Sequence, residues 1–142
     1  MPAMPLIVGF LLSVGVASMA WLVGLDRSRA FYPTVLMVVG SYYVLFAAMA
    51  GSTGGVLLEC AVMVVFLAAA IAGFRSSAWI VVAGLAAHGL FDAYRDHFIA
   101  HTGAPAWWPP FCMAFDVGAA AWLALILLRR ASNQVGDAGE SL

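Results

Sequence analysis

Apolar residues run through this chain in five long stretches, residues 5–25, 30–50, 54–74, 77–99 and 107–128, separated by short polar breaks. Each stretch is about as long as the roughly 20 residues that a helix needs to cross the hydrocarbon core of a bilayer. The breaks are Asp26-Arg27-Ser28-Arg29, the glycine-rich residues 51–55, Arg75-Ser76, and residues 100–105, which end on Pro105. Beyond Arg129 and Arg130 the sequence turns polar, and residues 131–142 cannot build a core, so they are expected to be disordered. The pattern predicts an all-α integral membrane protein: a five-transmembrane-helix bundle over residues 1–130 and a disordered tail over 131–142.

Composition narrows this further. Hydrophobic residues make up 65% of the chain and charged residues only 9%, against about 25% charged in soluble domains. A small water-soluble fold has too little interior to hide that much apolar surface. The net charge of −1 and the complete lack of lysine point away from nucleic acid and from a polybasic lipid-binding patch. The first stretch has no positively charged start and is as long as a full span, so it does not read as a signal peptide. Cys60 and Cys112 both sit inside apolar stretches, which is not the pattern of a disulfide framework.

The arginines give an orientation. Arg27 and Arg29 follow the first stretch, Arg75 the third, and Arg129 and Arg130 the fifth. With five spans these positions share one side, and short arginine-bearing loops stay in the cytoplasm. The amino terminus is therefore expected outside and the carboxyl terminus in the cytoplasm, in a bacterial inner membrane. Arg95 is the exception, at the outer end of the fourth stretch, where it could snorkel to the headgroups or pair with Asp96.

Against this apolar background the acidic residues stand out. A charge at a helix centre costs at least ~2.5 kcal/mol on the insertion scale, so intramembrane charges are functional candidates by default. Glu59 falls ~8 Å below the outer surface, Asp92 ~10 Å, Asp116 ~13 Å, Cys112 ~7 Å and His88 ~16 Å, from the helical rise per residue. All five occupy the outer half of the bilayer. His88 and Asp92 are four residues apart on one helix face, as are Cys112 and Asp116 on the next. These faces must turn inward, away from lipid, and the expected result is a polar pocket open toward the outer leaflet. Glu59 is expected to close the group, with a hydroxyl from Tyr42 or Tyr43 within reach. His97 reads as part of a solvated helix end, and Trp107 and Trp108 as interfacial anchors.

The run His88-Gly-Leu-Phe-Asp92-Ala-Tyr-Arg95-Asp96-His97, the proline-rich loop after it, and Cys112-x3-Asp116-x5-Trp122 resemble the bacterial membrane proteins grouped as domain of unknown function 6010. The resemblance extends over residues 29–122. It implies an integral membrane protein, a role for Glu59 beside the histidine, and no particular chemistry. This chain departs from the pattern where Arg95 and Asp96 replace a His-His pair.

Three uses of the group compete. Asp92 and Asp116, with His88 as proton shuttle and Glu59 tuning the pair, suit acid–base catalysis on a lipophilic small molecule: isomerisation, cyclisation or hydrolysis. No cofactor is required for that chemistry. His88, Asp92, Asp116 and Cys112 equally suit a divalent metal, or a path for ions or protons. Alternatively, these residues only join helices, as polar pairs do in membranes. The expected partners are the lipid bilayer, the lipophilic substrate and further copies of the chain in a homo-oligomer.

Overall fold

The computed structural model describes residues 3–99 and 103–140, with the side chains of residues 96, 98 and 135–140 excepted. Among the described residues it is all helix. The helices are α1 (Ala3–Val23), α2 (Phe31–Met49), α3 (Thr53–Arg75), α4 (Ala78–Phe98) and α5 (Trp108–Glu140), with a 3-10 turn at Leu25–Arg27 between α1 and α2.

Local chemistry sets the ends of these helices. Helix α1 stops two residues before the expected boundary because Gly24 takes a left-handed conformation, φ 79°, that turns the chain into the 3-10 segment. Ser52 caps α3 by accepting from the Gly55 amide at 3.0 Å, and Ser77 caps α4 by accepting from Trp79 at 3.4 Å. Pro109 and Pro110 fall in the first turn of α5, where a missing amide hydrogen costs little. At the other end, α5 continues as helix through Glu140, past residue 130 where composition places the start of the tail, and residues 131–134 are exposed.

Four helices, α1, α2, α3 and α5, are long and apolar enough to cross a membrane. Helix α4 has 21 residues, as many as α1, but carries His88, Asp92, Arg95 and Asp96, which lower its hydropathy. It packs one face against α5, α3 and α2, while Trp79, Leu90 and Tyr94 face outward.

The bundle is apolar outside, and its interior mixes small and polar residues with large apolar ones such as Leu36, Phe66 and Leu85. Helix α1 buries Gly9, Ser13, Ala17 and Ala20, one stripe of small residues, while Phe10, Leu11, Trp21 and Leu22 face outward. Small residues let helix backbones approach where lipid offers no hydrophobic driving force. The partner of that stripe is α5: a β-carbon on Gly9 would collide with the Phe111 carbonyl, and one on Gly118 with the Ser13 hydroxyl. Helix α5 packs against α4 on its other side, α4 against α3, and α3 against α2. Between α1 and α2 this leaves a groove of about 730 Å³, floored by Phe111, Cys112 and Phe115 of α5.

At one end of the bundle Arg29 donates to the Ser76 carbonyl at 3.2 Å, and Arg130 to the Asp26 carbonyl at 3.3 Å. The arginines that the sequence assigns to one side do gather at one end.

Candidate functional site

Toward the opposite end, α4 and α5 come together around Gly89. A β-carbon there would lie 3.2 Å from the Met113 carbonyl oxygen and 3.4 Å from the Asp116 β-carbon. This close crossing brings the neighbouring His88 onto Asp116, with Nδ1 and Oδ2 2.6 Å apart. Both residues are buried, at 1% and 0% exposure.

Two further side chains complete the group through helical spacing. Asp92, one turn from His88, brings Oδ2 to 3.6 Å from the same Nδ1. Cys112, one turn from Asp116, sends its thiol to Asp116 Oδ2 at 3.7 Å. One ligand atom from each of His88, Asp92, Cys112 and Asp116 lies within 4.8 Å of all the others, and all four residues are buried. Two carboxylate oxygens in this group, Asp92 Oδ2 and Asp116 Oδ1, are buried without a hydrogen-bond partner among the described residues.

A second set of residues holds the first. The Tyr43 hydroxyl, from α2, donates to Asp92 Oδ1 at 2.6 Å and so directs Oδ2 toward His88. The Arg95 guanidinium carbon stands 4.0 Å over the Tyr43 ring, a cation–π distance. Arg95 in turn donates to Glu59 of α3. Phe66 packs edge-on against the His88 ring at 4.7 Å between centroids.

The sequence expectations divide accordingly. His88, Asp92, Asp116 and Cys112 converge as their spacing predicts, and Tyr43, not Tyr42, supplies the hydroxyl. Tyr42 instead packs against Trp108 at 5.0 Å and lines the groove. Glu59 does not join the acids. Its carboxylate goes to Arg95, and Arg95 and Tyr43 link it to the group. Arg95 does not snorkel: at 1% exposure it is the largest fully buried side chain among the described residues, held where α3, α2 and α4 meet. The expected partner Asp96 lies outside the described side chains. His97 is exposed, as a helix-end residue should be, and Trp107 is half exposed.

The groove has no counterpart in the sequence expectations. In place of a polar pocket, the large cavity is almost wholly apolar and lies beside the polar group. The two meet at Cys112, which belongs to both. Among the described residues, no charged side chain lines the groove. The stripe Gly9-x3-Ser13-x3-Ala17 could have revealed the pairing of α1 with α5, since small residues at this spacing mark helix contacts in membranes.

In chemical terms the site is a chain of proton-bearing and metal-binding groups. It runs from the Cys112 thiol through Asp116, His88 and Asp92 to Tyr43. Comparison of the chain with models of known families, with curated proteins and with solved structures finds no match. Function must therefore be read from the site's own geometry.

Proposed function

We propose that the protein is a membrane-embedded enzyme that performs acid–base chemistry on a lipophilic small molecule held in the groove between α1 and α2. One observation carries this reading: the buried His88–Asp116–Asp92 group meets an apolar cavity of about 730 Å³ at Cys112. Ligand sites are typically concave and mostly apolar, about 300–1,000 Å³, with a few convergent polar groups. The groove with its polar group fits that description.

In this reading Asp116 stands behind the groove wall and exchanges a proton with the groove through Cys112, since its Oδ2 faces both the Cys112 thiol and His88 Nδ1. His88 stores or passes the proton, and Asp92 holds the imidazole from the other side. Tyr43, Arg95 and Glu59 position Asp92. A buried carboxyl beside an imidazole is standard equipment for general acid–base catalysis. Isomerisation, cyclisation and hydrolysis all need such a proton exchange.

The proposed setting is a bacterial inner membrane, crossed by all five helices, α4 included because its polar residues turn inward. The arginine end lies in the cytoplasm, and the site lies in the outer half of the bilayer. Kinship with the domain of unknown function 6010 proteins belongs to the same proposal, supported by His88-x3-Asp92 and Cys112-x3-Asp116-x5-Trp122.

Comparative lipid analysis tests it. Cells lacking the protein should accumulate one lipophilic species and lack another, and wild-type protein should restore the profile where Asp116→Asn and His88→Gln do not. An unchanged profile with both variants would sink the catalytic reading.

A further inference from the structure

We propose that His88, Asp92, Asp116 and Cys112 hold one zinc-class divalent ion. This rests on the catalytic reading of the same site and changes the roles within it: an ion there would take His88 Nδ1 and the two carboxylates as ligands, so that these residues would hold the ion and no longer carry the proton themselves.

The donor set selects the class of metal. Imidazole, carboxylate and thiolate are the side chains that bind zinc. Magnesium and calcium sites are built from oxygen, so a histidine and a cysteine speak against them. Two of the distances within the group suit that choice. Zinc bonds of about 2.0–2.3 Å arranged as a tetrahedron place neighbouring ligand atoms about 3.3–3.6 Å apart. Asp92 Oδ2 lies 3.6 Å from His88 Nδ1, and Cys112 Sγ 3.7 Å from Asp116 Oδ2. The 2.6 Å contact of His88 with Asp116 is shorter than such an edge. A modest rotation of the Asp116 carboxylate would open it and bring Oδ1 into play.

Unsatisfied atoms point the same way. Asp92 Oδ2 and Asp116 Oδ1 are buried without hydrogen-bond partners among the described residues, an expensive state for carboxylate oxygens. A bound ion would satisfy these lone pairs, and its double charge would offset two of the three negative charges on the two carboxylates and the thiolate. The outer shell is in place as well. Metal ligands are commonly fixed by a second hydrogen bond, and Asp92 has one from Tyr43 through Oδ1, which leaves Oδ2 for the ion. Cys112, at the groove wall, would place the ion next to a bound lipophile. Cys112 must lose its thiol proton to coordinate, so binding releases a proton to solvent.

The test uses full-length protein in detergent, stripped with a chelator and then dialysed against zinc or cobalt(II), with metal counted by mass spectrometry. The expected result is one ion per chain. The cobalt form should carry a thiolate-to-metal charge-transfer band that Cys112→Ser abolishes. His88→Gln and Asp92→Asn should weaken zinc binding by more than the roughly 10- to 100-fold that loss of an outer-shell partner costs. Cys60→Ser should leave both metal content and band unchanged. Wild-type protein that takes up neither ion, or that binds cobalt without a thiolate band, overturns the assignment. Either result needs only wild-type protein, so a misfolded variant cannot obscure it. A metal-free protein whose Asp116→Asn variant still fails to restore the lipid profile would end the metal proposal and leave acid–base catalysis standing.

Discussion

Replacing Glu59 with Gln keeps the shape of the side chain and removes the charge that Arg95 faces. Both residues are 1% exposed, so no water screens the change. Breaking a buried ion pair by removing one partner costs about 3–5 kcal/mol, because a buried charge loses its compensation. Replacing both partners with apolar residues of similar volume is often near neutral, since two desolvation penalties vanish with the attraction. Glu59→Gln and Arg95→Met should therefore each lower stability by about 3–5 kcal/mol, while Glu59→Met/Arg95→Met should stay within about 2 kcal/mol of wild type. Reversible unfolding in mixed micelles, titrated with a denaturing detergent and followed by tryptophan fluorescence, measures all four proteins. If Glu59→Gln loses less than about 1 kcal/mol, the pair behaves as a screened surface bridge and the reasoning fails. It fails equally if the double variant loses the sum of the singles.

Tyr43→Phe leaves Asp92 Oδ1 buried without its donor. The same unfolding assay should show a loss of about 1–3 kcal/mol, and zinc titration about a 10- to 100-fold weaker site. Gly9→Ala should separate α1 from α5 and destabilise clearly, because the colliding atom is the backbone carbonyl of Phe111, whereas Gly15→Ala meets nothing within 4 Å and should be tolerated. Val38→Trp in the groove should block restoration of the lipid profile while zinc content stays normal, and a profile restored as by wild type would show that the groove is not the substrate's path. For topology, a cysteine at Ser52 should react with a membrane-impermeant maleimide in intact cells, and one at Ser28 only after permeabilisation. The reverse result would invert the proposed orientation.

The helices and the core of the site were legible because each depends on local spacing. A stretch of about 20 apolar residues can do little but form a membrane helix. Residues four apart on a helix share a face whatever surrounds it, so His88 with Asp92 and Cys112 with Asp116 were bound to act as pairs. Their meeting followed from matched depth on consecutive helices.

The role of Arg95 was not legible. At a helix end a long cationic side chain usually finds water, and here the approach of α3 supplies a carboxylate that holds it inside. The groove was hidden for a related reason. Chain order suggests that α1 rests on α2, but its small-residue stripe selects α5, and the space left beside α2 becomes the cavity. Hydropathy in turn passes over α4, because the residues that build the site are those that make this helix polar.

The pairing of α1 with α5 also governs how the protein can be made. Helix α1 leaves the ribosome well before α5, so it must wait without its principal neighbour until nearly the whole chain has been made. It is equipped to wait: a span with no charged residue is stable in lipid alone. Helix α4 is the opposite case. Asp92 and Arg95 find Tyr43 and Glu59 on α2 and α3, but His88 finds Asp116 only when α5 arrives, so an unfinished chain leaves the centre of the site without its partner. Completion of α5 therefore closes the bundle on both sides at once, and a chain cut short before residue 108 would lose the site together with the anchorage of its first helix.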